Sequence, residues 1–509
     1  MNTIIGKLDG EGNSHKKAQN SQKLFVFLVP FCGYCLLSAC TVGPKYRTPT
    51  APVPPAFKEP LPSNWKTANP QDGTLRGDWW TIFGDSQLSD LETQVNISNQ
   101  SIAVAEAQFR GARAAVRAAR SGLYPTLTVD GAATRTGSGN KGNSAILGAG
   151  NTVRTGGGTF YSLPFDFSYE LDVWGRVRKT VEAAAATAQA SAADLEAVRL
   201  SSHAELALDY FELRGLDEQK KLLDETVNNF EQALQLTTDR FNQGVVSGLD
   251  VEQARTQLET ARAQAIDLDI QRAQFEHAIA ILTGKPPAEL ELARGTISGE
   301  PPVIPVALPS ELLERRPDVA AAERRVVSAN AQIGVAKTAY FPSVALNATG
   351  GFTSSAISGL LSWPSRFWSI GPSFSEILFD AGRRRALVAE AEAAYDATVA
   401  NYRQNVLTAF QDVEDNLAAL RVLSDEATQQ NTAVESAQRA LDLSLARYRG
   451  GIAIYTEVIT AQNALLENQR TAIGIRARRM AASVLLVKAL GGGWNVSDLP
   501  STKAVAQSK

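Results

Sequence analysis

Three cysteines, three histidines and two methionines are all that the 509 residues contain, and each scarcity excludes a class of chemistry. Cys32, Cys35 and Cys40 all stand near the N-terminus, so no disulfide framework or thiolate metal site can form downstream. His15 is also N-terminal, while His203 and His277 lie far apart with no second histidine at metal-ligand spacing. Neither a metal nor a cofactor is expected. No Walker-type loop is present. Gly137-Ser-Gly-Asn-Lys-Gly142 matches Gly-x-Gly-x-x-Gly literally, but no helix with an apolar face opens from it, and it reads as a loop. A net charge of -3 gives no basic footprint for nucleic acid. A mean hydropathy of -0.13 excludes a polytopic bundle of membrane helices. Aromatic residues, at 7%, are too sparse for one bulky core and fit long, closely packed helices instead. No constellation of residue types marks an enzyme.

What is present begins with the leader. Residues 24–39 form an apolar run preceded by Lys16, Lys17 and Lys23. It has the length of a signal-peptide core and is short for a membrane span. The run ends in Leu37-Ser38-Ala39-Cys40, the pattern of a bacterial lipoprotein cleavage site, so 1–39 is read as a signal peptide and Cys40 as the lipidated residue. The Cys-x-x-Cys at 32 and 35 leaves with the leader. Thr41, where an aspartate favours inner-membrane retention, points to the outer membrane. An uncleaved helical anchor is the alternative reading.

Proline then divides the chain. Eight prolines fall within 44–70, which marks 40–84 as an extended arm. None occurs between Pro164 and Pro286, or between Pro372 and Pro500. Both deserts are rich in Ala, Leu, Glu, Gln and Arg, the strong helix formers. Within them, 176–243 and 383–449 each predict a rod of roughly 100 Å at ~1.5 Å per residue. A shift of 207 residues lays Gly175-Arg176 on Gly382-Arg383, Arg240-Phe241 on Arg447-Tyr448, Gly244 on Gly451 and Gly284 on Gly491. This is an internal duplication of one large unit. The first repeat, 85–285, is expected to contain short helices (85–122), a β-hairpin (123–172) and a long helical hairpin (173–285). After a linker at 286–309, the second repeat, 310–491, contains a helix (310–340), a β-hairpin (341–380) and a long helical hairpin (381–491). A tail, 492–509, follows.

Between short and long helices a period of two takes over. Phe165, Phe167, Tyr169 and Leu171 alternate with Asp166, Ser168, Glu170 and Asp172, and Trp368, Ile370, Pro372 and Phe374 alternate with small polar residues. Leu127 and Val129, and Val344, Leu346 and Ala348, behave likewise. Such strands fit a transmembrane β-barrel or a half-buried soluble sheet. The joins at 137–158 and 352–364 read as long loops, with Trp363, Phe367 and Trp368 as interfacial aromatics. Four strands cannot close a barrel, and lipid tolerates no open edge, so the membrane reading demands other copies of the chain.

At this point the chain resembles the TolC family, specifically the lipoprotein branch of outer-membrane factors that serve resistance-nodulation-division efflux pumps. The resemblance rests on Cys40-Thr-Val-Gly-Pro-Lys-Tyr46, Trp79-Trp80-x-x-Phe83 with Asp85, Glu314-Arg-Arg-Pro-Asp318, Ala339-Tyr-Phe-Pro342, Phe379-Asp-Ala-Gly-Arg383, Arg447-Tyr-Arg-x-Gly451 and Leu490-Gly-Gly-Gly-Trp494. It implies a mainly α fold with a small β part. Three chains give a twelve-stranded outer-membrane barrel, four strands per protomer, continuous with a periplasmic α-barrel. It makes 286–309 an equatorial linker. It also implies a homotrimer working with a periplasmic adaptor (membrane fusion) protein and an inner-membrane transporter, as a passive duct for small molecules in a Gram-negative outer membrane. The periplasmic gate maps to Tyr448, Thr456, Thr460 and Asn463, and the adaptor-contact tips to Gly244, Gly248, Gly450 and Gly451. Relatives carry an Asp-Ala-Gln-Arg run where this chain has Thr460-Ala-Gln-Asn463, so no ionic latch is expected there. Asp250 and Glu457, equivalent in the duplication, are either solvated helix-start acids or a substitute acidic ring. A type I protein secretion duct of the same fold, and a periplasmic coiled-coil lipoprotein without a pore, are the alternatives.

Overall fold

Helix propensity and the missing prolines dictate most of what is seen. The computed structural model describes residues 41–59, 77–137, 145–147, 151–153, 158–304, 309 and 312–507. In order these form α1 (Ser86–Ser98), α2 (Gln100–Ser121), β1 (Thr126–Val129), β2 (Ala132–Thr136), β3 (Ala145–Leu147), β4 (Asn151–Val153), β5 (Gly158–Glu170), α3 (Arg176–Asn242) and α4 (Gly248–Leu282). The second half gives α5 (Leu312–Arg315), α6 (Pro317–Thr338), β6 (Ser343–Ser354), β7 (Arg366–Ser375), α7 (Arg383–Arg449), α8 (Tyr455–Ala489) and the short α9 (Thr502–Gln507). The chain is mostly helical with a small β part. It divides into two compact units: one holds residues up to 47, 115–185 and 327–396, the other 48–114, 186–326 and 397–509.

The duplication is visible in the element boundaries. α3 and α7 each run 67 residues, α4 and α8 each 35, and both pairs are displaced by the same 207 positions at both ends. The turn after each long helix is set by a left-handed glycine, Gly244 at φ 72° and Gly451 at φ 74°. In each, the amide after the glycine reaches back to the last helical turn, Val245 to the Arg240 carbonyl and Ile452 to the Arg447 carbonyl. That is a Schellman stop, which only a residue without a Cβ forms cheaply.

In the first unit β1, β2, β5, β6 and β7 form one antiparallel sheet, ordered β1-β5-β6-β7 with β2 also on β5. β1 and β2 pair with β5 in one unbroken register, from Thr126 opposite Ser168 to Thr136 opposite Gly158, so they are a single strand interrupted at Asp130-Gly131. Four long strands result, as expected, and the first continues past Val129 to Thr136, just before the stretch 137–158 expected to be loop. β3 and β4 pair with each other inside that stretch. Register puts Leu127, Phe167, Ala348 and Ile370 across from one another on one face, with Val344, Leu346, Pro372 and Phe374 beside them. This face is bare: Trp368 is 79% exposed and Phe374 71%. The other face carries a hydrogen-bonded polar ladder. Thr349 donates to Asp166 at 2.6 Å, and Asn347 joins Ser168 (3.1 Å) to Ser373 (2.9 Å). Phe367 sits opposite Gly351 on this polar face, not with Trp368 on the apolar one.

In the second unit small residues let helices approach closely. A Cβ on Gly215 of α3 would stand 3.1 Å from the Ala477 Cβ of α8. Its aromatic core joins Trp79, Trp80 and Phe83 to Phe211 and His203, with Trp80 stacked on His203 at 4.5 Å. Under that stack lies a neutral pair. Burial pushes the Glu92 carboxyl up to about 9, and burial with Arg199 nearby holds His203 down at about 4. The geometry agrees: a protonated Glu92 Oε2 donates to His203 Nδ1 at 2.6 Å, and Nε2–H donates to Asn96 Oδ1 at 3.0 Å. The tautomer is assigned from this network.

The sign of the pH effect follows. Above its ordinary value of 4.5 the unfolded chain releases the Glu92 proton that the folded chain keeps until about 9. Stability therefore falls with rising pH across that window, by about 1.4 kcal/mol per unit. His203 acts oppositely, since between 6.5 and about 4 only the unfolded imidazole takes a proton. The two offset one another from 4.5 to 6.5, and the decline lies above. Glu92→Gln, which keeps a donor for Nδ1, is expected to flatten that decline in urea unfolding measured from pH 6.5 to 9. An unchanged slope would place the dependence on other groups.

Candidate functional site

No enzyme-like centre emerges: among the described residues no three His, Cys, Asp or Glu gather to hold a metal. His203 is consumed by the core pair and His277 sits elsewhere on α4. Cys40, and residues 138–142 of the glycine-rich motif, lie outside the described residues. What the second unit does build is a tip, where α3 turns into α4 and α7 into α8.

The tip core is aromatic. Tyr448, in the last turn of α7, and Tyr455, the first residue of α8, pack with ring centroids 5.2 Å apart, and Ala254 and Val458 complete the cluster. Tyr448 is only 4% exposed, and its hydroxyl has no hydrogen-bond partner among the described residues. Thr456, Thr460 and Asn463 recur at i, i+4 and i+7 on an exposed stripe of α8, with the Thr460 hydroxyl donating to the Thr456 carbonyl at 2.9 Å. The four residues expected at the gate therefore divide: three share a solvent-facing stripe and the tyrosine faces inward. The stripe carries no charge.

The acids at the helix starts are not free. Asp250 accepts from the Ser247 amide at 3.3 Å in a capping box, and Glu457 pairs with Arg447 at 3.2 Å. Both are helix-start acids engaged within the tip, and the Glu457 side chain remains 41% exposed. Of the four tip glycines, Gly244 and Gly451 hold left-handed turns; Gly248 begins α4 and Gly450 follows α7, neither at positive φ. Around them Phe241, Val245, Leu249, Ile452 and Ile454 stand exposed, an apolar surface at the end of the hairpins.

Sequence reasoning missed Arg240. Its Nη1 donates to the Tyr448 carbonyl at 3.0 Å and its guanidinium stands over the Tyr448 ring, 4.7 Å from the centroid. The available clue was the duplication, which equates Arg240 with Arg447; nothing local shows that one crosses to the other hairpin and the other stays within its own.

The outer membrane efflux protein family model matches residues 92–285 and 308–492. The chain is 32% identical over 461 residues to the probable efflux pump outer membrane protein TtgC of Pseudomonas putida, covering 90% of this chain and 94% of that protein. It is 30% identical over 471 residues to the cation efflux system protein CusC of Escherichia coli O6:H1, covering 92% and 98%. The structure of the outer-membrane channel OprN superimposes with a TM-score of 0.79 at 32% identity, covering 89% of this chain and all of that one. With both repeats matched by the family and the whole architecture shared with a solved channel, the chain belongs to the outer membrane efflux protein family, whose members are ducts and not enzymes.

Proposed function

We propose that this chain is the outer-membrane duct of a tripartite efflux system, anchored through lipid on Cys40 and assembled as a homotrimer. The observation that carries this reading is the sheet: four strands, one bare apolar face, one polar face, and edges on β1/β2 and β7 that are unpaired among the described residues. In lipid those edges need partners, and neighbouring copies of the same sheet supply them. The apolar face then meets lipid and the Asp166–Thr349 and Ser168–Asn347–Ser373 ladder meets water. The exposed apolar tips suit a periplasmic adaptor, which couples the duct to an inner-membrane transporter. Nothing in the tip offers a ligand set for one cargo, so selection belongs to the transporter, and the cargo class is small molecules, as the relatives' names suggest. Within this reading 286–309 is the equatorial linker between the repeats 85–285 and 310–491.

The periplasmic gate closes by packing. Tyr448 pins the end of α7 against α8, and Thr456, Thr460 and Asn463 form the neutral polar stripe beside it. In planar lipid bilayers the full-length protein should conduct poorly, and Tyr448→Ala should raise its conductance by about tenfold, the shift expected when a few buried contacts holding one state are lost. Unchanged conductance removes Tyr448 from the gate. A monomer in detergent, measured by light scattering, overturns the duct itself.

A further inference from the structure

The two tips are copies, yet their equivalent arginines do different things. In the second tip Arg447 pairs with Glu457 of its own turn at 3.2 Å. In the first tip the equivalent acid, Asp250, is one methylene shorter and is held by the Ser247 amide at 3.3 Å in a capping box. The second tip has Ile454 at the equivalent of Ser247, with no side-chain cap. Arg240 is thereby left without the partner that Arg447 has. It crosses instead from α3 to α7, donating to the Tyr448 carbonyl at 3.0 Å and covering the ring at 4.7 Å. Phe241 and Tyr448 diverge in parallel: equivalent in sequence, the first is 47% exposed and the second 4%.

We infer that Arg240 is a positioning residue of the gate, an intraprotomer latch that holds α7 closed through Tyr448, and that Ser247 and Asp250 set it by keeping the local acid occupied. The inference rests on the gate reading above. The tyrosine is held by the packing of its ring and not by its buried hydroxyl, which finds no partner among the described residues. A buried hydroxyl without a partner disfavours the state that contains it. The polar closing contacts are the arginine's: a charge-assisted hydrogen bond to a helix-end carbonyl, where the helix dipole also favours a cation, and a cation over an aromatic face. Both are lost together when the guanidinium moves. Opening of the tip then amounts to transferring one guanidinium off one ring.

The test is conductance of the full-length protein in planar bilayers, with Tyr448→Ala as the reference for an open gate. Arg240→Ala should raise conductance about tenfold, Arg240→Lys should recover only part of the closure because the planar fork is lost, and Arg447→Ala should stay at the wild-type level. A pair of double variants separates latching from mere support of the fold. Ser247→Ile with Asp250→Glu gives the first tip the chemistry of the second, and should draw Arg240 off Tyr448 and open the duct. Ser247→Ile with Asp250→Gln removes the same cap and differs by one charge; it should remain closed. Equal conductance in these two, or a wild-type level in Arg240→Ala while Tyr448→Ala is open, overturns the latch and leaves the gate standing. If Tyr448→Ala is closed as well, the gate reading fails, and the latch with it.

Discussion

Gly491→Ala is expected to lower the unfolding free energy by about 2–5 kcal/mol, from a left-handed backbone cost of roughly 1–2 and an overpacking cost of roughly 1–3. Gly491 follows α8 at φ 92°, and its amide donates to the Lys488 carbonyl at 3.0 Å while the next amide returns to Val487. A Cβ there would stand 2.7 Å from the Arg315 carbonyl carbon and 3.4 Å from the Arg316 amide, in backbone that cannot give way as a flexible side chain would. The junction is tied further by Arg316, which donates to the Ala489 carbonyl at 3.2 Å and pairs with Asp318 and Asp412. The first repeat builds the same joint: Gly284 at φ 71° lies against Ser98, and Asn99 donates to the Leu282 carbonyl at 2.9 Å. Gly299→Ala is the comparison. It has φ 76° but open space around it, so it should lose only the backbone cost of about 1–2 kcal/mol. Urea midpoints of the detergent-solubilised protein measure both. Equal losses at the two positions would mean that the close approach to Arg315 contributes nothing.

Arg214→Met should destabilise by about 3–5 kcal/mol, the range for removing one member of a buried charged network. Arg214 of α3 is buried, donates to Asp217 at 3.0 Å, to the Ala293 carbonyl at 2.8 Å and to Gln87, and lies over the Tyr210 ring at 4.7 Å. Tyr210 in turn donates to Asp85, the N-cap of α1, at 2.7 Å. Arg272 of α4 completes the network, reaching Asp217 at 2.8 Å and Glu276 at 2.9 Å. One guanidinium therefore gathers α1, α3, α4 and the segment at 292–295 of the second unit. Methionine keeps an unbranched apolar stem and leaves the Ala293 carbonyl and Gln87 without that donor. Arg214→Lys retains the charge but not the fork, and should fall between methionine and wild type. A loss below about 1 kcal/mol for methionine would show that water replaces the guanidinium and that the hub is not structural.

Much of the architecture was legible from residue order. Missing prolines and Ala-rich composition gave α3 and α7, Gly244 and Gly451 gave their ends and Gly284 and Gly491 those of α4 and α8, because a left-handed turn is a local demand on one residue type. Strand faces were legible for the same reason: a period of two is carried by neighbours in sequence. The strand through Asp130-Gly131 was not, because its continuation depends on pairing with β5, a partner distant in sequence. Phe367 was placed with the exposed aromatics, whereas its register against β6 sends it to the polar face. At the tip the residues were found but their orientations were not. Tyr448 and the Thr456–Thr460–Asn463 stripe looked like one set and face different ways, and Arg240 carried no signal of its own.

The amino-acid order by itself determined the duplicated helical hairpins, the amphipathic strands and the absence of chemistry for catalysis, since propensity, periodicity and residue type act over a few positions of chain. Tertiary structure alone decided that Asp250 caps its helix while Glu457 holds an arginine, and so which arginine reaches Tyr448. The two equivalent turns diverge there because a hydrogen bond satisfied within one turn leaves a charge free to seek its partner on another helix.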